Sequence, residues 1–140
     1  MNGAPYGLSV ELDLPYAQAR QKITEALKEQ GFGILTEIDV QQTLKQKIGA
    51  DMPAYVILGA CNPALAHASL QVDVNLGLLL PCNVVVREVP GGSVVSVLDP
   101  LLMSEVSRAE GLEQIAALAR AKIERALDAL SHYARRATPV

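Results

Sequence analysis

Large aromatic side chains are scarce in this chain. Its 140 residues include no tryptophan and one phenylalanine, although half of all residues are hydrophobic. With 19% charged residues, the composition is that of a folded protein and not of a disordered one. We therefore predict a single domain over residues 1–140, with a core of leucine, valine, isoleucine and alanine.

The chain also lacks any long cluster of one charge. Its formal net charge is −3, and basic residues are interspersed with acidic ones along its length. Nucleic-acid binding depends largely on cationic side chains that neutralise phosphates, and single strands also stack on aromatic rings. Since such clusters and rings are scarce here, we predict no nucleic-acid partner.

Signals for membrane insertion or secretion are missing as well. No apolar run reaches the roughly 18 residues of a spanning helix, and the first residues lack the basic start and apolar core of a secretory signal. We predict no membrane partner and a cytoplasmic protein with reduced thiols. The two cysteines, Cys61 and Cys82, form no Cys-x-x-Cys motif, which argues against a zinc ribbon or a thioredoxin-like site.

The first third of the chain alternates strand and helix patterns. YGLSVELDLP has the apolar alternation of a half-buried strand, and a helix should follow from Pro15 to about Gln30. GFGILTEID returns as a strand, and DVQQTLKQKIG is typical of a short helix that is capped by Asp39 and ended by Gly49. The apolar edge of this short helix is predicted to be Val40, Leu44 and Ile48.

The remaining elements complete an α+β pattern. MPAYVILGAC is a third strand, and Asn62 followed by Pro63 is a strong helix-start signal. Two valine-rich runs around PGG form a hairpin, and an amphipathic helix runs from about Leu112 to Tyr133. This order predicts an antiparallel sheet that is covered on one face by two longer helices, with short helices inserted.

Two Cys-Asn dipeptides lie where an apolar run meets a turn. The first ends the third strand and the second begins the fourth, so both would lie at one edge of the sheet if these strands are antiparallel neighbours. The helix that begins there would fold over this edge. We therefore predict a ligand-binding site formed by Cys61, Asn62, His67, Cys82 and Asn83. Its apolar walls would be Leu58, Leu78, Leu79 and Leu80.

Three functions fit these side chains. The first is a pocket for a small molecule or an anion, and the second is redox or sulfur-transfer chemistry, with Cys61 activated by the helix start and Cys82 as its partner. The third is a soft metal ion, zinc or copper, held by both thiolates and His67 with a fourth ligand from elsewhere. A structural interpretation competes with all three, since free cysteines are often buried and Asn62 caps a helix. The sequence names no catalytic residue, metal ligand set or cofactor, and leaves open whether the chain is an enzyme.

Three stretches in this order, GFGILTEIDV, LGACNPALAH and GLLLPCNVVV, carry a family resemblance. They resemble the signature blocks of the domain-of-unknown-function family numbered 302, and the resemblance extends from about Gly7 to Leu130. It implies a fold like that of the TATA-binding protein, of the order β-α-β4-α, and it implies no activity. We also expect a homodimer, because the valine-rich hairpin could present an edge strand to a second copy.

Overall fold

The computed structural model describes residues 3–135, and its elements follow the predicted order. The strands are β1 (Gly7–Leu12), β2 (Gly33–Asp39), β3 (Tyr55–Cys61), β4 (Cys82–Val89) and β5 (Gly92–Leu98). The helices are α1 (Tyr16–Glu29), α2 (Val40–Ile48), α3 (Pro63–Val72), α4 (Leu101–Ser107) and α5 (Leu112–Asp128). Two 3₁₀ turns span Val74–Leu79 and Ser131–Tyr133. The predicted α+β fold is confirmed.

One antiparallel sheet of five strands has the order β1-β5-β4-β3-β2. The predicted hairpin is present as β4 and β5, and Gly91 in its turn has a φ of +79° that suits glycine. Both of its strands are paired on both sides, so neither is an edge strand. The reason given for a homodimer is therefore wrong, and the homodimer itself stays a prediction.

The core lies on one face of this sheet. Strand alternation brings Leu58, Val84 and Val97 side by side on that face, and each is at most 1% exposed. α1 and α5 cover them with apolar residues such as Ile23 and Leu127. The two longer helices thus cover one face, as predicted.

Local signals set several helix ends. The Asp39 side chain accepts a hydrogen bond from the Gln42 backbone N–H at 2.9 Å, and Gly49 ends α2 with a φ of +68°. The predicted apolar edge of α2 does not enter the core, because no residue of α2 is buried and Ile48 is 73% exposed. α5 is shorter than predicted, and a 3₁₀ turn follows it up to Tyr133.

None of the helices within residues 3–135 is long and apolar enough to cross a membrane.

Candidate functional site

The two Cys-Asn pairs do meet at one edge of the sheet. β3 and β4 are antiparallel neighbours, and Cys82 at the start of β4 pairs with Ala60, the residue before Cys61. Successive residues of a strand point to opposite faces, so this register directs Cys82 to the helix-covered face and Cys61 to the other. The two dipeptides are therefore neighbours across the β3–β4 pair, and Cys61, as the last residue of β3, still borders the same cavity as Cys82.

A cavity of about 350 Å³ lies beside this edge, under the helices. Its lining comes from three helices (α3, α4 and α5), from β2 and the residue before it, from the end of β3, and from the start of β4 and the segment before it, with Pro100 after β5. These residues are Phe32, Leu35, Ala60, Cys61, Asn62, Leu65, Ala66, Ser69, Leu70, Gly77, Leu80, Pro81, Cys82, Pro100, Met103, Ile115, Ala119 and Ile123. Leu35, Leu70 and Gly77 are exposed and mark its mouth.

α3 forms one wall of the cavity with a single face. Its cap residue Asn62 and its residues Leu65, Ala66, Ser69 and Leu70 line the cavity. Their spacing of three and four residues is that of one side of a helix. The Asn62 side-chain oxygen accepts a hydrogen bond from the Leu65 N–H at 3.2 Å, so this residue caps α3 as predicted and also borders the cavity.

Two of the five predicted site residues lie outside this lining. His67 is exposed on another side of α3, where its ring lies 3.3 Å from the Gln71 side chain. Asn83 is exposed and pairs with Gly59, which places it on the face away from the cavity. The structure thus groups Cys61, Asn62 and Cys82 around one cavity, and it separates His67 and Asn83 from it.

The leucines expected as walls are divided in the same way. Leu80 lines the cavity, Leu58 is 1% exposed in the main core, and Leu78 is 88% exposed. Leu79 packs against a second, smaller cluster that contains Met103 and Leu112. The other walls come from α4 and α5, and their position near the two cysteines was not predicted from the sequence.

Comparison with known proteins supports the family resemblance of the three signature stretches. Residues 8–130 match the family model described as domain of unknown function DUF302. The chain belongs to the DUF302 family. It is also similar to the crystal structure of an uncharacterized conserved DUF302 protein from Bacillus stearothermophilus, with 28% sequence identity and a TM-score of 0.83. That match covers 91% of this chain and 99% of the other.

No curated protein matches the chain. The family resemblance is therefore confirmed, and the DUF302 description carries no activity. The expected likeness to the TATA-binding protein stays a prediction.

In this DUF302 chain the Cys82 thiol is a neutral group. Burial raises its pKa from the ordinary 9.0 to about 12, with a smaller contribution from the negative charge of Asp99. The thiol donates a long hydrogen bond, 3.5 Å, to the Leu98 carbonyl oxygen. Since the thiolate is the nucleophile and the metal ligand, Cys82 is poorly suited to act as either at neutral pH.

Among residues 3–135, no charged side chain lines the cavity. Its hydroxyl and amide groups already have partners, since Ser69 donates to the Leu65 carbonyl oxygen at 2.8 Å and the Asn62 amide lies 3.4 Å from the Gln30 carbonyl oxygen. The described lining therefore offers no cationic side chain to an anion.

Asp99 and Arg120 fix the far wall of the cavity, and the sequence interpretation missed both. Arg120 of α5 donates to the Asp99 carboxylate at 2.7 Å, and the same carboxylate accepts the Leu101 N–H at 3.0 Å. The pair ties the start of α4, with its lining residue Met103, to the middle of α5. The Asp99 carboxylate is just 15% exposed.

Within the described part of the chain, no three side chains among histidine, cysteine, aspartate and glutamate lie together as a metal ion would require. His67 in particular lies off the face of α3 that reaches Cys82.

Proposed function

We propose that this DUF302 domain binds a small, neutral, mostly apolar molecule in the cavity between α3, α5 and the ends of β3 and β4. The observation that carries this proposal is a space of about 350 Å³ whose lining, in the part of the chain that the structure describes, contains no charged residue. Ligand pockets are typically concave, predominantly apolar and at least about 300 Å³ in volume, so this one is at the small end. The mouth at Leu35 and Leu70 gives a ligand a route from solvent.

The anion alternative lacks support from this site, because no lysine, arginine or histidine lines it. The redox and soft-metal alternatives stay predictions. The raised pKa of the Cys82 thiol weighs against both.

The test is titration with a neutral fluorescent dye, N-phenyl-1-naphthylamine, whose emission rises in apolar surroundings. We expect saturable binding of one dye per chain. Ala66→Phe, on the lining face of α3, should fill the cavity and weaken binding by about tenfold or more, the equivalent of about 1.4 kcal/mol.

The matched control is Ala64→Phe, the same substitution on the same helix at an exposed position outside the lining. It should bind the dye like the unaltered chain. Absence of saturable binding, or equal loss in both variants, would overturn the proposal.

A further inference from the structure

Three polarisable side chains reach the cavity from three separate elements. Phe32 precedes β2, Cys82 begins β4 and Met103 lies in α4. Phe32, the chain's one phenylalanine, is 5% exposed, and Met103 is 8% exposed, so both are held by packing. The cavity therefore concentrates an aromatic ring, a thiol and a thioether in a chain that is otherwise poor in such groups.

These groups interact with an aromatic ligand in ways that a saturated ring cannot match. Aromatic pairs gain from edge-to-face and offset-stacked contacts in addition to the area they bury. A thioether sulfur likewise makes favourable contacts with the edge of a ring. An apolar cavity of roughly 150 Å³ holds benzene, so a space of about 350 Å³ is large enough for one ring with a substituent.

We infer that the ligand of this cavity is a neutral compound with an aromatic ring, bound in preference to its saturated counterpart. The inference rests on the proposed function and adds the chemical class of the ligand. Phe32 and Met103 are the residues that would set the preference.

Benzyl alcohol and cyclohexylmethanol form a suitable pair of probes, because they share one hydroxyl and the same number of heavy atoms. The saturated alcohol is the more hydrophobic, so burial alone favours it. We expect the opposite order: benzyl alcohol should displace N-phenyl-1-naphthylamine from the unaltered chain with an affinity about threefold higher or more.

Met103→Leu removes the sulfur with little change in volume. It should lower the affinity for benzyl alcohol about threefold and leave that for cyclohexylmethanol unchanged. The control is Met52→Leu, since Met52 lies beside α2, outside the cavity. In protein with ¹³C-labelled methionine methyl groups, benzyl alcohol should shift the Met103 signal by its ring current and leave the Met52 signal in place.

The outcomes separate the two proposals. If the dye itself shows no saturable binding, both proposals are overturned. If the dye binds and benzyl alcohol does not displace it, only the aromatic ligand is overturned. If cyclohexylmethanol binds as well as benzyl alcohol or better, or if Met103→Leu weakens both alcohols equally, only the aromatic preference is overturned.

Discussion

The two halves of α5 pack against the same sheet but have different surroundings. Its second half, with the buried Ala126 and Leu127, belongs to the main core with α1 and the middle of the sheet, and only Ile123 there borders the cavity. Its first half, with Ile115 and Ala119, faces the cavity. One helix face with one apolar pattern therefore contributes to a close-packed core at one end and to an open apolar wall at the other.

The difference comes from what lies across from each half. α1 presents large side chains such as Ile23 and Leu27, whereas α3 presents small ones, Ala66 and Ser69, over much of its inner face. α3 also has only 10 residues and cannot cover the whole edge. Unfilled apolar space forgoes packing contacts, so an open wall of this kind is typical of a site that a ligand completes.

The sharpest test of this contrast compares truncation of one isoleucine in each half. Ile23→Ala removes a side chain that is fully buried, and should lower the free energy of unfolding by about 3 kcal/mol. Ile115→Ala removes a half-buried side chain that already borders open space, and should cost about 1 kcal/mol. Urea unfolding followed by far-UV circular dichroism measures both, since the chain has no tryptophan. Equal losses would mean that Ile115 is packed in solution and that the two halves do not differ.

The sequence predicted most of the fold because its signals are local. Strand alternation, the Asn62-Pro63 helix start and the hairpin turn each act within a few residues, and the structure has all of them. The site was only partly predictable, because it is assembled by contacts that are not local. Which face Cys82 joins depends on its pairing with Ala60, and the walls from α4 and α5 depend on contacts between residues far apart in the chain.

The position of His67 outside the site is predictable from the sequence. The positions Asn62, Leu65, Ala66, Ser69 and Leu70 recur at helical spacing and mark the inner face of α3 in the sequence itself. His67 lies off that face by the same count, so periodicity alone argues against its place in the site.

A second prediction concerns a tight contact between Gly59 of β3 and Pro81, a residue of the cavity lining. A Cβ atom at Gly59 would meet the Thr36 side chain and would lie 2.8 Å from Pro81 Cγ, next to the Leu80-Pro81 wall. Gly59→Ala should therefore cost about 2 kcal/mol of stability and shift that wall, which dye titration would detect. Gly33→Ala is the matched control on β2, since its added Cβ has nothing within 4 Å. If both variants are as stable as the unaltered chain, the contact of Gly59 with Thr36 and Pro81 is loose, and it does not fix the Leu80-Pro81 wall.

The last prediction is confined to alkaline pH, is absent at neutral pH, and tests how dry the cavity wall at Cys82 is. The Cys82 thiol has a pKa of about 12 in the folded chain, against 9.0 for an ordinary thiol, so between these values the folded form keeps a proton that the unfolded form has lost. This group therefore contributes stability that is complete below pH 9 and is lost as the pH rises towards 12. We expect the free energy of unfolding of the unaltered chain to fall more steeply over pH 9–11 than that of Cys82→Ala.

The control is Val84→Ala, a truncation on the same strand without a titrating group. It should lower the free energy of unfolding by a similar amount at every pH and keep the steep fall. Identical slopes in the unaltered chain and Cys82→Ala would show that water reaches this thiol, and the cavity would then be wetter than its apolar lining implies.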